Sequence, residues 1–136
     1  MKQYVTIIKE VGFKTKIKIN SMTFINFNAR NRIKIWEGIS GPVYHSKNIT
    51  FGHFTLEKDV ELPEHSHPHE QWSHVIKGKL EFTIEGETEI LTPGMTAFIP
   101  SNIPHCAKAI TESKVIDCFL PVREDFVEKE NDYTSK

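Results

Sequence analysis

The segment KLEFTIEGETEI (79–90) limits the fold more than any other. Leu80, Phe82 and Ile84 alternate with Lys79, Glu81, Thr83 and Glu85. That period of two suits a strand with one face buried and the other in water. Gly86 then supplies a tight hairpin. The same pattern recurs along the chain. Short β-branched or aromatic runs, bounded by Gly, Pro, Asn or charged turns, occupy 4–8, 16–19, 22–27, 32–36, 49–56, 71–76, 79–85, 88–91, 95–99, 105–110 and 114–120. Many short strands at regular spacing predict an all-β fold, an antiparallel sandwich or jelly-roll barrel, with an N-terminal strand arm. The acid-rich end, 123–136, is expected to make one helical turn near Asp125–Lys129 and then fray. The expected organisation is an arm over 1–32, a barrel over 33–126 and an acidic tail over 127–136.

A chain of 136 residues can bury one core without disulfides. Cys106 and Cys118 lie outside any CxxC pair and read as two reduced thiols, so the expected setting is cytoplasmic. No apolar run resembles a signal peptide or approaches the ~20 residues of a membrane span. Met22 is an alternative start, which would make 1–21 an extension. The net charge of −1 points to neither nucleic acid nor a membrane surface. The charge is uneven, however. Residues 1–34 hold eight Lys/Arg and one acid, Glu10, so this segment carries +7 and the remainder −8. An arm for an acidic partner is one reading. An alternating, water-facing strand at KTKIKI (14–19) is the simpler one. Exposed edges and sheet faces of a small barrel need cover, so a homodimer is expected, with the N-terminal strands pairing to a neighbour.

The chemistry concentrates in HSHPHEQWSHVIKG (65–78) and PGMTAFIPSNIPH (93–105). His65, His67 and Gln71 stand at i, i+2 and i+6, and His105 ends the second segment. Alternate strand residues share a face, so three imidazoles and one amide oxygen can converge on one metal ion. Glu70 competes with Gln71, but odd parity favours Gln71. Such a mixed N/O set accepts Zn, Ni, Fe or Mn without choosing among them. A neutral Gln leaves a divalent ion its full charge, which makes it a stronger Lewis acid. His74 has the opposite parity and is expected between sheets or at a subunit contact. His69 reads as a loop residue, exposed or lying behind the ligands. His45 and His53 read as ordinary surface or core residues.

A third segment, DCFLPVREDF (117–126), places Asp117 and Phe119 on one strand face and Cys118 on the other. A carboxyl within an apolar strand is costly to bury unless it is paired, hydrogen-bonded or functional. Arg123 could grip a carboxylate with its planar fork. A structural Asp117–Arg123 ion pair is the bland alternative.

These motifs resemble those of small single-domain cupins. His65, His67 and Gly78 match the first cupin motif, with Gln71 where Glu is usual. Pro93, Gly94 and His105 match the second, with Pro100, Asn102 and Pro104 shaping the loop. The resemblance covers roughly residues 33–126. Asp117, Phe119 and Arg123 are similar to the terminal Asp-x-Phe-x-x-x-Arg of the pectin-degradation cupins, which ketonise 4,5-unsaturated uronates and share the Gln-bearing metal motif. Trp72 and His74 depart from that pattern. The resemblance implies a metal-dependent, ring-opening tautomerase of an acidic sugar. In it Asp117 moves a proton, Arg123 orients the carboxylate and Phe119 forms a wall. A cupin dioxygenase and a non-catalytic metal- or sugar-binding module are the competing expectations.

Overall fold

The computed structural model describes residues 2–8, 14–22 and 24–134. Strands β1 (Lys2–Ile8) and β2 (Lys14–Met22) pair antiparallel in a sheet of their own. A 3-10 turn, Phe27–Ala29, follows where a strand over 22–27 was expected. The side chain of Asn26 caps it by accepting from the Asn28 N–H at 3.1 Å. Asn is well suited to that post, and the capping bond competes with any strand ladder.

The barrel consists of two sheets. The larger contains β3 (Ile33–Trp36), β4 (Ile39–Gly41), β5 (Val43–His45), β6 (Thr50–Leu56), β8 (Glu70–Lys77), β11 (Thr96–Ile99) and β13 (Ser113–Leu120). The smaller runs in the order β10 (Glu87–Leu91), β9 (Leu80–Ile84), β12 (His105–Ala109), β7 (Glu61–His65). Every pairing is antiparallel. Two such sheets packed face to face make the expected jelly roll.

Alternation decides the core. Along β13, Ser113, Val115, Asp117 and Phe119 are buried, while Lys114 and Leu120 are exposed. Phe54, Leu56, Val75 and Val115 of the larger sheet meet Leu80, Phe82, Ala107 and Ala109 of the smaller. The outward face of the larger sheet keeps Trp72, Ile76 and Phe98 exposed. There His74 bonds Thr96 Oγ1 at 2.7 Å, so it stands outside the barrel and not between the sheets. The two cysteines are free and half-buried. Among the described residues no helix is long and apolar enough to cross a membrane.

The chain ends in α1 (Glu124–Thr134), longer than the single turn expected. Its Phe126 is buried, edge-on to Phe119 at 5.5 Å and to Phe54 at 6.0 Å. Burying that ring, worth roughly 1.5–3 kcal/mol, anchors a helix rich in charged residues.

Gly78 closes the turn before β9 at φ +88°, and a Cβ there would lie 2.3 Å from the Glu112 carbonyl oxygen. Gly86 has a similar φ of +83° but open space around it. Gly86→Ala should therefore cost about 1–2 kcal/mol from φ alone. Gly78→Ala, which must also displace backbone, should cost about 3 kcal/mol or more. Urea unfolding of the two variants tests the contrast.

Candidate metal centre

His65 ends β7, His67 lies in the following loop, Gln71 is on β8, and His105 opens β12, directly opposite His65. The convergence expected from strand parity has a different cause. The chain leaves one sheet after His65 and enters the other at Glu70, so the loop carries His67 between them. Gln71 is 7 % exposed and inward, whereas Glu70 reaches outward and accepts from Trp72 Nε1 at 3.1 Å.

The second motif holds this loop in place. Ser101 Oγ donates to the Pro68 carbonyl at 2.6 Å, and the Asn102 N–H donates to the His67 carbonyl at 2.8 Å. Asn102 achieves this with a left-handed φ of +63°, which Asn tolerates better than most residues. The sequence showed Asn102 as a loop former but not this tether.

The three imidazoles share one orientation. His65 Nδ1 meets the Pro63 carbonyl at 2.7 Å, His67 Nδ1 the His69 carbonyl at 3.0 Å, and His105 Nδ1 the Ile103 carbonyl at 2.8 Å. A carbonyl can only accept, so each Nδ1 carries the proton and each Nε2 presents a lone pair. Ligand atoms of the three rings lie within 4.8 Å of one another. His105 Nε2 is buried and has no hydrogen-bond partner among the described residues. His67 Nε2 faces Gln71 Oε1 at 3.0 Å, two acceptors with no donor between them. Two donors each ~2.1 Å from one metal at right angles would be about 3 Å apart. A proton on His67 Nε2 is the alternative, but burial and the Arg123 charge push that imidazole below its ordinary range. Burial pushes His105 down to about 4. The lowered imidazoles of His67 and His105, an orphaned nitrogen and opposed lone pairs fit a divalent cation.

Beside this cluster is a cavity of about 340 Å³, at the small end of the range for small-molecule sites. His65, Gln71, Asp117, Phe119 and Arg123 line it, with Trp36 and Lys129 also on its wall. Asp117 is buried, and its Oδ2 accepts from Gln71 Nε2 at 3.5 Å, while Oδ1 has no partner. Burial raises the Asp117 carboxyl to about 7, with the Ser73 hydroxyl and the Arg123 charge opposing the rise. The Asp117–Arg123 ion pair is not formed. Arg123 pairs instead with Asp125, at 2.8 Å, a partner two residues away that sequence reasoning overlooked. The remaining histidines lie elsewhere: His45 bonds Thr50 Oγ1 at 2.8 Å, and His53 stacks on Phe27 at 4.2 Å. His69 contributes the carbonyl that orients His67.

His105→Ala should abolish stoichiometric metal in protein prepared without chelator, whereas His74→Ala should retain it. Elemental analysis distinguishes them. Asp117 gives a second test, in metal-free protein. Its folded pKa is raised above the unfolded value, so its contribution is fully present below pH 3.8 and is lost progressively as pH rises from there to about 7. Asp117→Asn should therefore stabilise the metal-free chain at pH 8 by on the order of 3 kcal/mol and change it little at pH 4. Chemical denaturation at the two pH values measures this.

The cupin domain family matches residues 52–118. An RmlC-like cupin from Shewanella frigidimarina is similar in structure, with 28 % identity and a TM-score of 0.73, over 78 % of this chain and 96 % of that one. KdgF from a Halomonas species is similar at 27 % identity and a TM-score of 0.72, over 78 % of this chain and 99 % of that one. A salicylate 1,2-dioxygenase from Pseudoaminobacter salicylatoxidans shares the fold at 17 % identity and a TM-score of 0.60, over 64 % of this chain and 28 % of that one. No curated protein sequence matches the chain. The matched segment runs from mid-β6 to mid-β13 and contains all four candidate metal donors, so the part of this chain that is similar to the cupin domain family is the part that builds the site.

Proposed function

We propose that this chain catalyses the ring-opening ketonisation of a 4,5-unsaturated uronate. The observation that carries the reading is Asp117, a buried carboxyl that burial raises to about 7 in the metal-free site, in one cavity with the Arg123 side chain and two of the four candidate metal donors, His65 and Gln71. A buried carboxyl whose Oδ1 is left without a partner among the described residues suits a group that must both accept and release a proton. A divalent metal on His65, His67, Gln71 and His105 would supply Lewis acidity to a substrate oxygen.

The reaction is an isomerisation and balances without a co-reactant. A base takes the proton from the anomeric hydroxyl, C1 becomes a carbonyl and the bond from C1 to the ring oxygen breaks. The electron pair left on that oxygen forms the C5 ketone as C4 gains a proton. In this reading Asp117 takes the first proton and returns it at C4. Arg123 would hold the C6 carboxylate, and Phe119 forms an apolar wall. Water is kept from Asp117, which is only 6 % exposed. The likeness to KdgF, over nearly the whole of that chain, agrees with this reading. The dioxygenase likeness carries the fold alone, and a buried proton-transfer group has no evident task in oxygen chemistry.

Metal-loaded protein should accelerate the loss of enol ultraviolet absorbance of unsaturated galacturonate over the buffer rate. Asp117→Asn should lower kcat by about 10²–10⁴-fold with KM little changed. Arg123→Ala should act mainly on KM. No acceleration by the loaded wild-type protein would reject the substrate.

A further inference from the structure

The fork of Arg123 is already engaged. Its Nε donates to Asp125 Oδ1 at 3.0 Å and its Nη2 to Asp125 Oδ2 at 2.8 Å. This two-pronged geometry is the one Arg adopts toward a free carboxylate. Both side chains line the cavity beside the metal centre.

The two halves of the pair are unequally held. The Arg123 guanidinium lies 4.1 Å from the ring centre of Phe126 and 4.9 Å from that of Phe119. Its backbone N–H is tied to Thr50 Oγ1 at 2.9 Å, and its side chain is 14 % exposed. Asp125 is 51 % exposed and has other partners. It stands in the first turn of α1, where the N–H groups of Asp125 and Phe126 favour its charge. Lys129, four residues on, offers the favourable acid-before-lysine spacing on the same helix and also lines the cavity. The cation is therefore fixed, while the anion can leave it for water, the helix terminus or Lys129.

We propose that Asp125 is a built-in occupant of the carboxylate subsite, and that an anionic ligand binds by displacing it from Arg123. This rests on the preceding reading only in taking the ligand to be a carboxylate. The consequence is selectivity. A neutral sugar cannot replace the charge that Arg123 would lose, so it leaves the internal pair closed. A carboxylate exchanges one two-pronged pairing for another.

The test uses the zinc-loaded full chain, with D-galacturonate as an unreactive carboxylate and D-galactose as its neutral counterpart. Calorimetry should show Asp125→Asn binding galacturonate about three- to tenfold more tightly than wild type, because the competing internal pair is gone. Glu128→Gln, which removes the same charge from the same helix, should stay within about twofold of wild type. In protein with carbon-13 in its Asp carboxyls, saturating galacturonate should shift the Asp125 signal, and galactose should not. Unchanged or weaker binding by Asp125→Asn, an unmoved Asp125 signal at saturation, or no galacturonate binding in either protein overturns the proposal. Failure of the ketonisation reading is separate: it appears as no loss of enol absorbance, whatever these binding results are.

Discussion

Three imidazole protons given to three backbone carbonyls organise this molecule. Once Pro63, His69 and Ile103 accept from the Nδ1 atoms, the Nε2 lone pairs of His65, His67 and His105 are directed at one region. The arrangement depends on chain path more than on packing. A carbonyl turned by a few tens of degrees would release its ring and scatter the donors. Hence the importance of Ser101 and Asn102, which hold the His67 loop through its own carbonyls. They also couple the two motifs physically, so that the second supplies both a candidate ligand and the clamp for the others.

Around this cluster the barrel departs from the rules that built it. Strand β13 is flanked by β6 and β8, yet it carries Asp117 inward among Val115 and Phe119. Gln71 enters the same interior from β8. Along β6, by contrast, the inward positions are apolar or small and the alternation is regular. Buried polar groups with incomplete partners lower stability, and their concentration at one end of the barrel marks where the fold gives way to chemistry.

Much of the fold was legible because alternation is a local signal. The runs 49–56, 79–85 and 114–120 mark β6, β9 and β13 to within a residue. Three strands gave no such signal. β4 and β5 have three residues each, flanking Pro42, too short to show a period. β7 contains Pro63, which argues against a strand in sequence but is tolerated because β7 is an edge. The clustering of His65, His67 and His105 was legible from residue type and spacing, although its geometry arises from a loop between sheets and not from one strand face. The engagement of Arg123 by Asp125 was not legible. A neighbouring acid is commonplace in sequence, and only the side-chain geometry shows which partner an arginine takes.

Phe126 completes the core and at the same time forms the surface on which the Arg123 guanidinium rests. One aromatic ring thus belongs to two systems, the interior and the mouth. Variation in the last dozen residues is constrained accordingly. Truncation ahead of this ring would uncover Phe54 and Phe119 to water and leave the arginine without its platform, so the terminal helix cannot diverge as freely as its polar composition invites.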